Sequence, residues 1–274
     1  MSKINTATAF SQTLFSSVAG ECRAVVEATE AGVIAGLDFI QPEKLLSSDS
    51  GQEAHAGHWN IKVQDGQWVE AGEPLIEVIG SATELGITED YIMGPLGFAS
   101  GIATRAKVFQ DACPEGLTIS CGGWKKLPSP LKPLLRAGLV SVGILPRLVD
   151  GDFVYLSKNA VLLLGGVGEA IAAGVAMQHG PVAVQVKNVA EAEFAVEAGA
   201  GVIMVDTGAL EDLAAVHERL SSLGCRDEVT LAFGGGARLE DLQVIRDLGG
   251  QAVDVGRDIL NAPLFDLRMR VIPE

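Results

Sequence analysis

Two glycine-rich segments in the last part of the chain, GGGAR (234–238) and VGRD (255–258), carry residue types that could bind an anion. Each follows an apolar run and precedes a helical pattern, so free backbone N–H groups and the positive end of a helix dipole should meet there. Glycine also lets a phosphate approach the backbone closely. The alternative is that the three glycines only form a tight turn. The candidate phosphate-binding residues are Gly234, Gly235, Gly236, Gly256 and Arg257.

A second set of candidates consists of cations that follow other apolar runs. They are Lys125, Lys126 and Lys132 after the run 117–121, Arg147 after 140–144, and Lys158 after 153–157. If these runs are parallel strands whose ends converge on one mouth, the cations could hold a polyanion. Otherwise they are separate solvated side chains.

Asp206 stands at the end of the apolar run GVIMVD (201–206). A carboxylate in this position could bind Mg²⁺ or a ribose hydroxyl. The alternative is that Asp206 caps the helix predicted at 209–223.

The elements that must position these residues are short strands and helices in alternation. From Val182 to Arg257 the pattern repeats in units of roughly 23–27 residues, as expected for βα crossovers in a parallel sheet that is buried on both faces. The seven predicted strands are 117–121, 140–144, 153–157, 181–186, 201–206, 229–233 and 252–256. One strand fewer than eight suggests an open or incomplete barrel. Loops after parallel strands carry the chemistry in α/β folds, so we expect the active site there.

The first part of the chain has a different pattern. Residues 22–40 predict two strands joined by a turn, and 60–80 alternates apolar and polar residues with Gly66 and Gly72 in turns. Such alternation predicts a half-buried antiparallel sheet.

Composition excludes several classes of function. The chain has 35 Asp and Glu against 20 Lys and Arg, a formal net charge of −15, which argues against a nucleic acid or an anionic membrane as partner. The sequence has no run of 18 apolar residues and no pattern of a secretion signal at its start. Its four cysteines form no CxxC pair, and we expect reduced thiols in a cytoplasmic protein.

Five stretches resemble the quinolinate phosphoribosyltransferases, the type II enzymes that make nicotinate mononucleotide. They are AGVIAGLD (31–38), VQDGQWVEAGEPLIEVIGSATEL (63–85), SGIAT (100–104), AGAGVIMVDT (198–207), and GGGARLEDL with AVDVGRDI (within 234–259). The resemblance implies an N-terminal α/β sandwich domain over 1–95, to which 260–274 returns, and an open seven-stranded α/β barrel domain over 96–259. It also implies a homodimer, or a larger assembly of that dimer, in which the sandwich of one subunit covers the barrel mouth of its partner.

The same resemblance implies roles for individual residues. Lys126 matches the catalytic lysine, and Lys125 stands where the family has an arginine. The implied catalytic residues are Lys126, Asp206 and Arg147. The implied substrate-binding residues are Lys125, Lys132, Lys158, Asn159 and Gln185. Asp206 is also the implied ligand of the Mg²⁺ that accompanies phosphoribosyl pyrophosphate.

Three functions follow from these residues. Quinolinate is a dicarboxylate, and arginine forks hold it with a bidentate geometry that Lys125 cannot copy. We therefore expect a phosphoribosyltransferase with a pyridine-carboxylate or related heterocyclic acceptor that is altered from quinolinate. The alternatives are the quinolinate enzyme of NAD biosynthesis and a non-catalytic or repurposed relative that binds a phosphorylated ligand.

Overall fold

The computed structural model describes residues 10–11, 13–41 and 57–273. Within them the chain divides into two compact units. The first unit takes its residues from Met1–Lys107, Pro128–Val142 and Ala262–Glu274, and the second from Val108–Leu127 and Gly143–Asn261. The predicted domain boundaries, after residues 95 and 259, remain a prediction.

The first unit contains a four-stranded antiparallel sheet in the order β12-β1-β5-β3 and a two-stranded sheet of β2 and β4. These strands are β1 (Cys22–Ala28), β2 (Gly32–Val33), β3 (His58–Ile61), β4 (Trp68–Val69), β5 (Pro74–Gly80) and β12 (Leu267–Ile272). Side chains alternate along a strand, and Ala24, Val26 and Ala28 of β1 all enter one apolar core. The antiparallel sheet predicted from the alternating pattern is confirmed.

The helices α1 (Ala82–Asp111) and α2 (Lys132–Val140) belong mostly and wholly, respectively, to the first unit. The SGIAT stretch lies on α1, where the Ser100 hydroxyl accepts a hydrogen bond from the Ala35 N–H at 3.0 Å. The Thr104 hydroxyl accepts one from the Val33 N–H at 2.9 Å. These bonds satisfy backbone donors in the AGVIAGLD stretch, so the two stretches serve the architecture of this unit.

The second unit is built on a parallel sheet in the order β6-β11-β10-β9-β8-β7. Its strands are β6 (Thr118–Ser120), β7 (Val154–Leu156), β8 (Val182–Val186), β9 (Val202–Val205), β10 (Thr230–Phe233) and β11 (Ala252–Asp254). Every residue of β9 is buried, as predicted for a strand covered on both faces. The predicted open parallel sheet is therefore confirmed.

Helices follow most of these strands. They are α3 (Lys158–Leu163), α4 (Val167–Ala176), α5 (Val189–Glu197), α6 (Leu210–Ser222), α7 (Leu242–Asp247) and α8 (Arg257–Leu260). Between β10 and α7, a 3₁₀ turn at Leu239–Asp241 leads directly into the helix. No helix in the described part of the chain is both long and apolar enough to cross a membrane.

The strand predicted at 140–144 is wrong. Val140 belongs to the last turn of α2 and is exposed, and Gly143 has a φ of 80°, which breaks an extended backbone. The seventh position of the sheet is held instead by one bridge between Ser120 and Leu145. Within the described residues the sheet thus has six strands and a single bridging residue, because the apolar run begins in the last turn of α2 and continues as a turn rather than as a strand.

Candidate active site

A cleft of about 990 Å³ opens at the carboxyl ends of the strands of the second unit. The shared strand direction of a parallel sheet brings the segments after β6, β9, β10 and β11 to this edge. The predicted site residues that line it are Lys125, Lys126, Arg147, Gln185, Asp206, Gly235, Gly236, Gly256 and Arg257. Three of the five predicted cations, Lys125, Lys126 and Arg147, therefore share one mouth with glycines of the late strands, whereas Lys132 and Lys158 do not line it among the described residues.

The three-glycine turn after β10 packs against the segment after β9. The Gly208 N–H donates to the Gly234 carbonyl at 3.1 Å. Gly235 has a φ of 96°, and a Cβ there would lie 2.5 Å from the Gly208 nitrogen. Gly236 has a φ of 122°, and nothing lies within 4 Å of the position of its Cβ. The turn thus requires glycine at 235, while the open backbone at 236 leaves room for an anion.

The basic loop is the 3₁₀ segment Gly122–Lys126, directly after β6. Both of its lysines, Lys125 and Lys126, are exposed in the cleft. The Lys126 Nζ atom lies 3.9 Å from the position that a Cβ would take at Gly256. An ammonium from the first strand of the sheet therefore stands beside the glycine turn that follows β11.

Asp254, the last residue of β11, anchors the basic loop. Its Oδ1 atom accepts a hydrogen bond from the Gly122 N–H at 2.5 Å. A Cβ at Gly122 would lie 2.8 Å from Oδ2, so glycine makes room for the carboxylate. Burial raises the pKa of Asp254 above its ordinary value, and the Asp206 carboxylate adds to this rise. The hydrogen bond from the Gly122 N–H and the charges of the two lysines of the basic loop act in the opposite direction and lower the pKa of Asp254.

Asp206 is held by a network from the neighbouring strands. The Gln185 Nε2 atom donates to Asp206 Oδ2 at 2.6 Å, and the Gln185 Oε1 atom accepts from the Lys158 N–H at 2.8 Å. The Lys158 ammonium lies 3.2 Å from Asp206 Oδ2 and donates to the Asp206 carbonyl at 2.5 Å. The alternative of Asp206 as a helix cap is wrong, because the N-cap of α6 is Ala209 and no side chain caps it.

Two aromatic rings with a cation on each form one wall of the cleft. The Arg147 Cζ atom lies 4.4 Å from the ring centroid of Phe153, and the Lys125 Nζ atom lies 4.9 Å from that of Tyr155. The two rings meet edge to face, with centroids 6.3 Å apart and an interplanar angle of 82°. Burial raises the pKa of the Tyr155 hydroxyl, helped by the Asp254 and Asp206 carboxylates, so the hydroxyl stays protonated. We call these four side chains the aromatic–cation wall.

Family models match almost the whole chain. The model of the N-terminal domain of quinolinate phosphoribosyl transferase matches residues 10–100, and the model of its C-terminal domain matches residues 102–270. The chain belongs to the quinolinate phosphoribosyltransferase family. The predicted family is thereby confirmed, and so is the predicted enzyme class at the level of the family.

Individual relatives agree with this assignment. A probable nicotinate-nucleotide pyrophosphorylase (carboxylating) of Methanothermobacter thermautotrophicus is 23% identical over 253 residues, which cover 88% of this chain and 85% of the relative. The human nicotinate-nucleotide pyrophosphorylase (carboxylating) is 25% identical over 266 residues, 93% of this chain and 84% of the human protein.

Solved structures show the same fold. The crystal structure of NadC from Streptococcus pyogenes matches with a TM-score of 0.78 and 22% identity, covering 98% of this chain and 95% of that chain. The nicotinate-nucleotide pyrophosphorylase from Ehrlichia chaffeensis matches with a TM-score of 0.79 and 17% identity, covering 98% and 97%. The predicted type II phosphoribosyltransferase fold is confirmed.

Four predicted site residues of this quinolinate phosphoribosyltransferase family member are not among the described residues that line the cleft. Lys158 reaches the site only through its ion pair with Asp206. Lys132 is the first residue of α2 in the first unit, and its role stays a prediction. Asn159 is exposed on α3 and is not among the described residues that line the cleft. Gly234 is buried under the turn rather than open to the cleft. The roles of the residues that do line the cleft also stay predictions.

Sequence reasoning missed Gly122, Phe153, Tyr155 and Asp254. Asp254 carried a usable signal, because it is an acidic residue inside the apolar run AVDVG (252–256) and just before a predicted glycine turn. Tyr155 and Phe153 carried no such signal, because aromatic residues in an apolar run are most often ordinary core residues. Gly122 is explained only by the position of the Asp254 carboxylate.

Proposed function

We propose that this chain transfers a phosphoribosyl group from phosphoribosyl pyrophosphate to quinolinate and releases pyrophosphate and carbon dioxide. The product would be nicotinate mononucleotide, a precursor of NAD. The family models over residues 10–100 and 102–270 support this, as do relatives named nicotinate-nucleotide pyrophosphorylase. The single observation that carries the proposal is the Lys126 ammonium beside the Gly256 turn in one cleft. A homodimer or higher homo-oligomer in the cytoplasm belongs to the same proposal.

The donor carries phosphate groups on both sides of its ribose, so it needs two anion sites. The open backbone at Gly236, with Gly256 and Arg257, supports a site for one phosphate group. Lys126 supplies the positive charge next to the ribose-phosphate. Positive groups fixed before the reaction stabilise charge that develops on the leaving pyrophosphate.

The chemistry breaks one bond at the ribose C1 atom and forms another. The bond from C1 to the pyrophosphate oxygen breaks with its electron pair, and the ring nitrogen of quinolinate donates the pair that forms the new bond. Positive charge develops on the ribose between these events, and the nearby Asp206 carboxylate stabilises it. The carboxylate next to the ring nitrogen then leaves as carbon dioxide, and the ring carbon takes a proton. In this scheme Arg147 binds the acceptor.

Mg²⁺ would accompany the donor and neutralise charge on its pyrophosphate. The residues fit this requirement through Asp206, whose Oδ2 atom accepts from Gln185 while no described hydrogen bond uses Oδ1. No group of three His, Cys, Asp or Glu side chains among the described residues could hold a metal ion alone. One protein carboxylate is nevertheless enough, because Mg²⁺ takes its other ligands from substrate phosphates and water.

A second candidate function is transfer to a different pyridine carboxylate or related heterocycle. Lys125 offers a single ammonium where the family resemblance implies a guanidinium, and an ammonium cannot bind a carboxylate with two parallel hydrogen bonds. The amide oxygen and the amide nitrogen of Gln185 are both hydrogen-bonded within the protein, to the Lys158 N–H and to Asp206. These two features favour an acceptor with fewer carboxylates than quinolinate.

Calorimetric titration with phosphoribosyl pyrophosphate and Mg²⁺, followed by an assay of pyrophosphate release, tests the proposal. We expect the donor to bind and quinolinate to trigger release. Donor binding with release on nicotinate but not on quinolinate would support the second candidate. Failure to bind the donor would contradict both and favour a repurposed member of the family.

Lys126→Ala provides the matched variant, because Lys126 is exposed and we expect the fold to tolerate its removal. It should abolish turnover with little change in the free energy of unfolding. Lys187→Ala is the control, since Lys187 is also exposed, follows β8, and does not line the cleft among the described residues. Unchanged turnover in Lys126→Ala would remove the catalytic role of Lys126.

A further inference from the structure

The aromatic–cation wall comes from the edge strand β7 and from two loops. Phe153 directly precedes β7 and Tyr155 is the middle residue of that strand; the two are two residues apart, and both line the cleft. Val154, between them, is buried. Phe153 is 5% exposed and Tyr155 is half-buried, so Tyr155 offers most of the ring surface that a ligand can reach.

The two cations of the wall are held by rings rather than by carboxylates. Among the described residues, neither Lys125 nor Arg147 has a salt-bridge partner within 4.0 Å. Four carboxylates line the cleft among the described residues, those of Asp206, Asp241, Asp254 and Asp258. Asp206 is engaged by Lys158 and Gln185, Asp241 accepts from the Arg238 N–H, and Asp254 accepts from the Gly122 N–H. A ring face attracts a cation without using its N–H donors. Both cations therefore keep N–H groups that can donate hydrogen bonds to a ligand carboxylate.

We propose that Tyr155 is a specificity-determining residue that positions Lys125 for the acceptor carboxylate. This inference rests on the proposed phosphoribosyl transfer and adds to it the subsite that receives the acceptor. The subsite takes a flat ring with an anionic edge, the edge meeting Lys125 and Arg147 and the ring lying against the aromatic side chains.

Lys125 needs a positioning residue because of the chemistry of the lysine side chain. An arginine fork is planar and rigid, whereas a lysine ammonium sits on a flexible stem with several rotatable bonds. The Tyr155 ring restricts Lys125 to one region of the cleft and so lowers the ordering cost of binding. An aliphatic residue at 155 could fill the same space in the sheet but would leave Lys125 unrestrained.

Two substitutions separate the ring from the hydroxyl. Tyr155→Leu removes the ring and should raise the KM for the acceptor by about threefold to thirtyfold, the range expected for the loss of one partly exposed cation–π contact. Tyr155→Phe keeps the ring and should leave that KM within about twofold. The Kd for phosphoribosyl pyrophosphate should stay the same in both variants, and equal Tm values would exclude a folding defect.

Direct titration with quinolinate and with nicotinate gives a readout that needs no turnover. Weaker acceptor binding in Tyr155→Leu, with wild-type binding in Tyr155→Phe, supports the subsite even if no pyrophosphate is released. In that case only the proposed reaction fails. Turnover in the wild type with unchanged acceptor affinity in Tyr155→Leu overturns the subsite alone. A wild type that neither binds an acceptor nor releases pyrophosphate contradicts both.

Discussion

Replacing Gly122 by alanine should break the link between β11 and the basic loop. The backbone itself tolerates alanine, because Gly122 has no positive φ. The obstacle is the Asp254 carboxylate, which would lie 2.8 Å from the new Cβ through Oδ2 and 3.1 Å through Oδ1. The carboxylate must move, and its hydrogen bond from the Gly122 N–H is lost.

The size of the effect follows from the lost bond. A hydrogen bond to a charged group contributes about 1.5–3 kcal/mol to stability. For a chain of this size the Tm should fall by roughly 3–12 °C. The loop also carries Lys126, and a displacement of about 1 Å in a positioning group can lower a rate by about 100-fold. We therefore expect a large fall in kcat/KM together with a moderate loss of stability.

Urea unfolding and steady-state pyrophosphate release measure the two effects, and a double-mutant cycle tests their cause. In the Asp254→Ala background the new Cβ meets no carboxylate, so Gly122→Ala should cost less than about 0.5 kcal/mol. The difference between the two backgrounds should be about 1.5–3 kcal/mol. Equal costs in both backgrounds would refute the clash as the reason for glycine at 122.

Two further substitutions test the cleft. Asp254 has a raised pKa in the folded protein, so its contribution to stability is present at low pH and is lost as the pH rises through the folded pKa. Asp254→Asn does not titrate, and its free energy of unfolding relative to wild type should rise as the pH increases above the ordinary aspartate pKa of about 4. A pH-independent difference in urea unfolding would contradict this. Gly235→Ala should cost at least about 2 kcal/mol, because a positive φ and the Gly208 nitrogen at 2.5 Å both oppose a side chain. Gly236→Ala shares the positive φ but meets open space, so an equal loss in denaturant unfolding would point to φ strain alone.

Periodicity was enough to predict the repeating βα elements of the second unit. β8, β9, β10 and β11 lie inside the predicted runs because continuous apolar stretches with short polar interruptions have few other structures available. The exception was 140–144, where the run VSVGI has strand composition but its first residue completes α2. Local composition cannot show whether a short apolar run forms its own strand or belongs to the neighbouring helix.

The site was predictable in position but not in its internal contacts. Strand direction placed Lys126 and Gly256 at the same edge of the sheet, and the structure brings them together. The pairing of Gln185 with Asp206 was not predictable, because it depends on the register of β8 against β9. The Gly122–Asp254 contact joins residues far apart in the chain, and only coordinates reveal such a bond.

The most direct test of the central claim is phosphorus NMR of the protein mixed with phosphoribosyl pyrophosphate, Mg²⁺ and quinolinate. We predict that the donor resonances are replaced by those of free pyrophosphate and of a mononucleotide, and only when the acceptor is present. Donor resonances that persist with quinolinate and with every other pyridine carboxylate tried would contradict phosphoribosyl transfer by this chain.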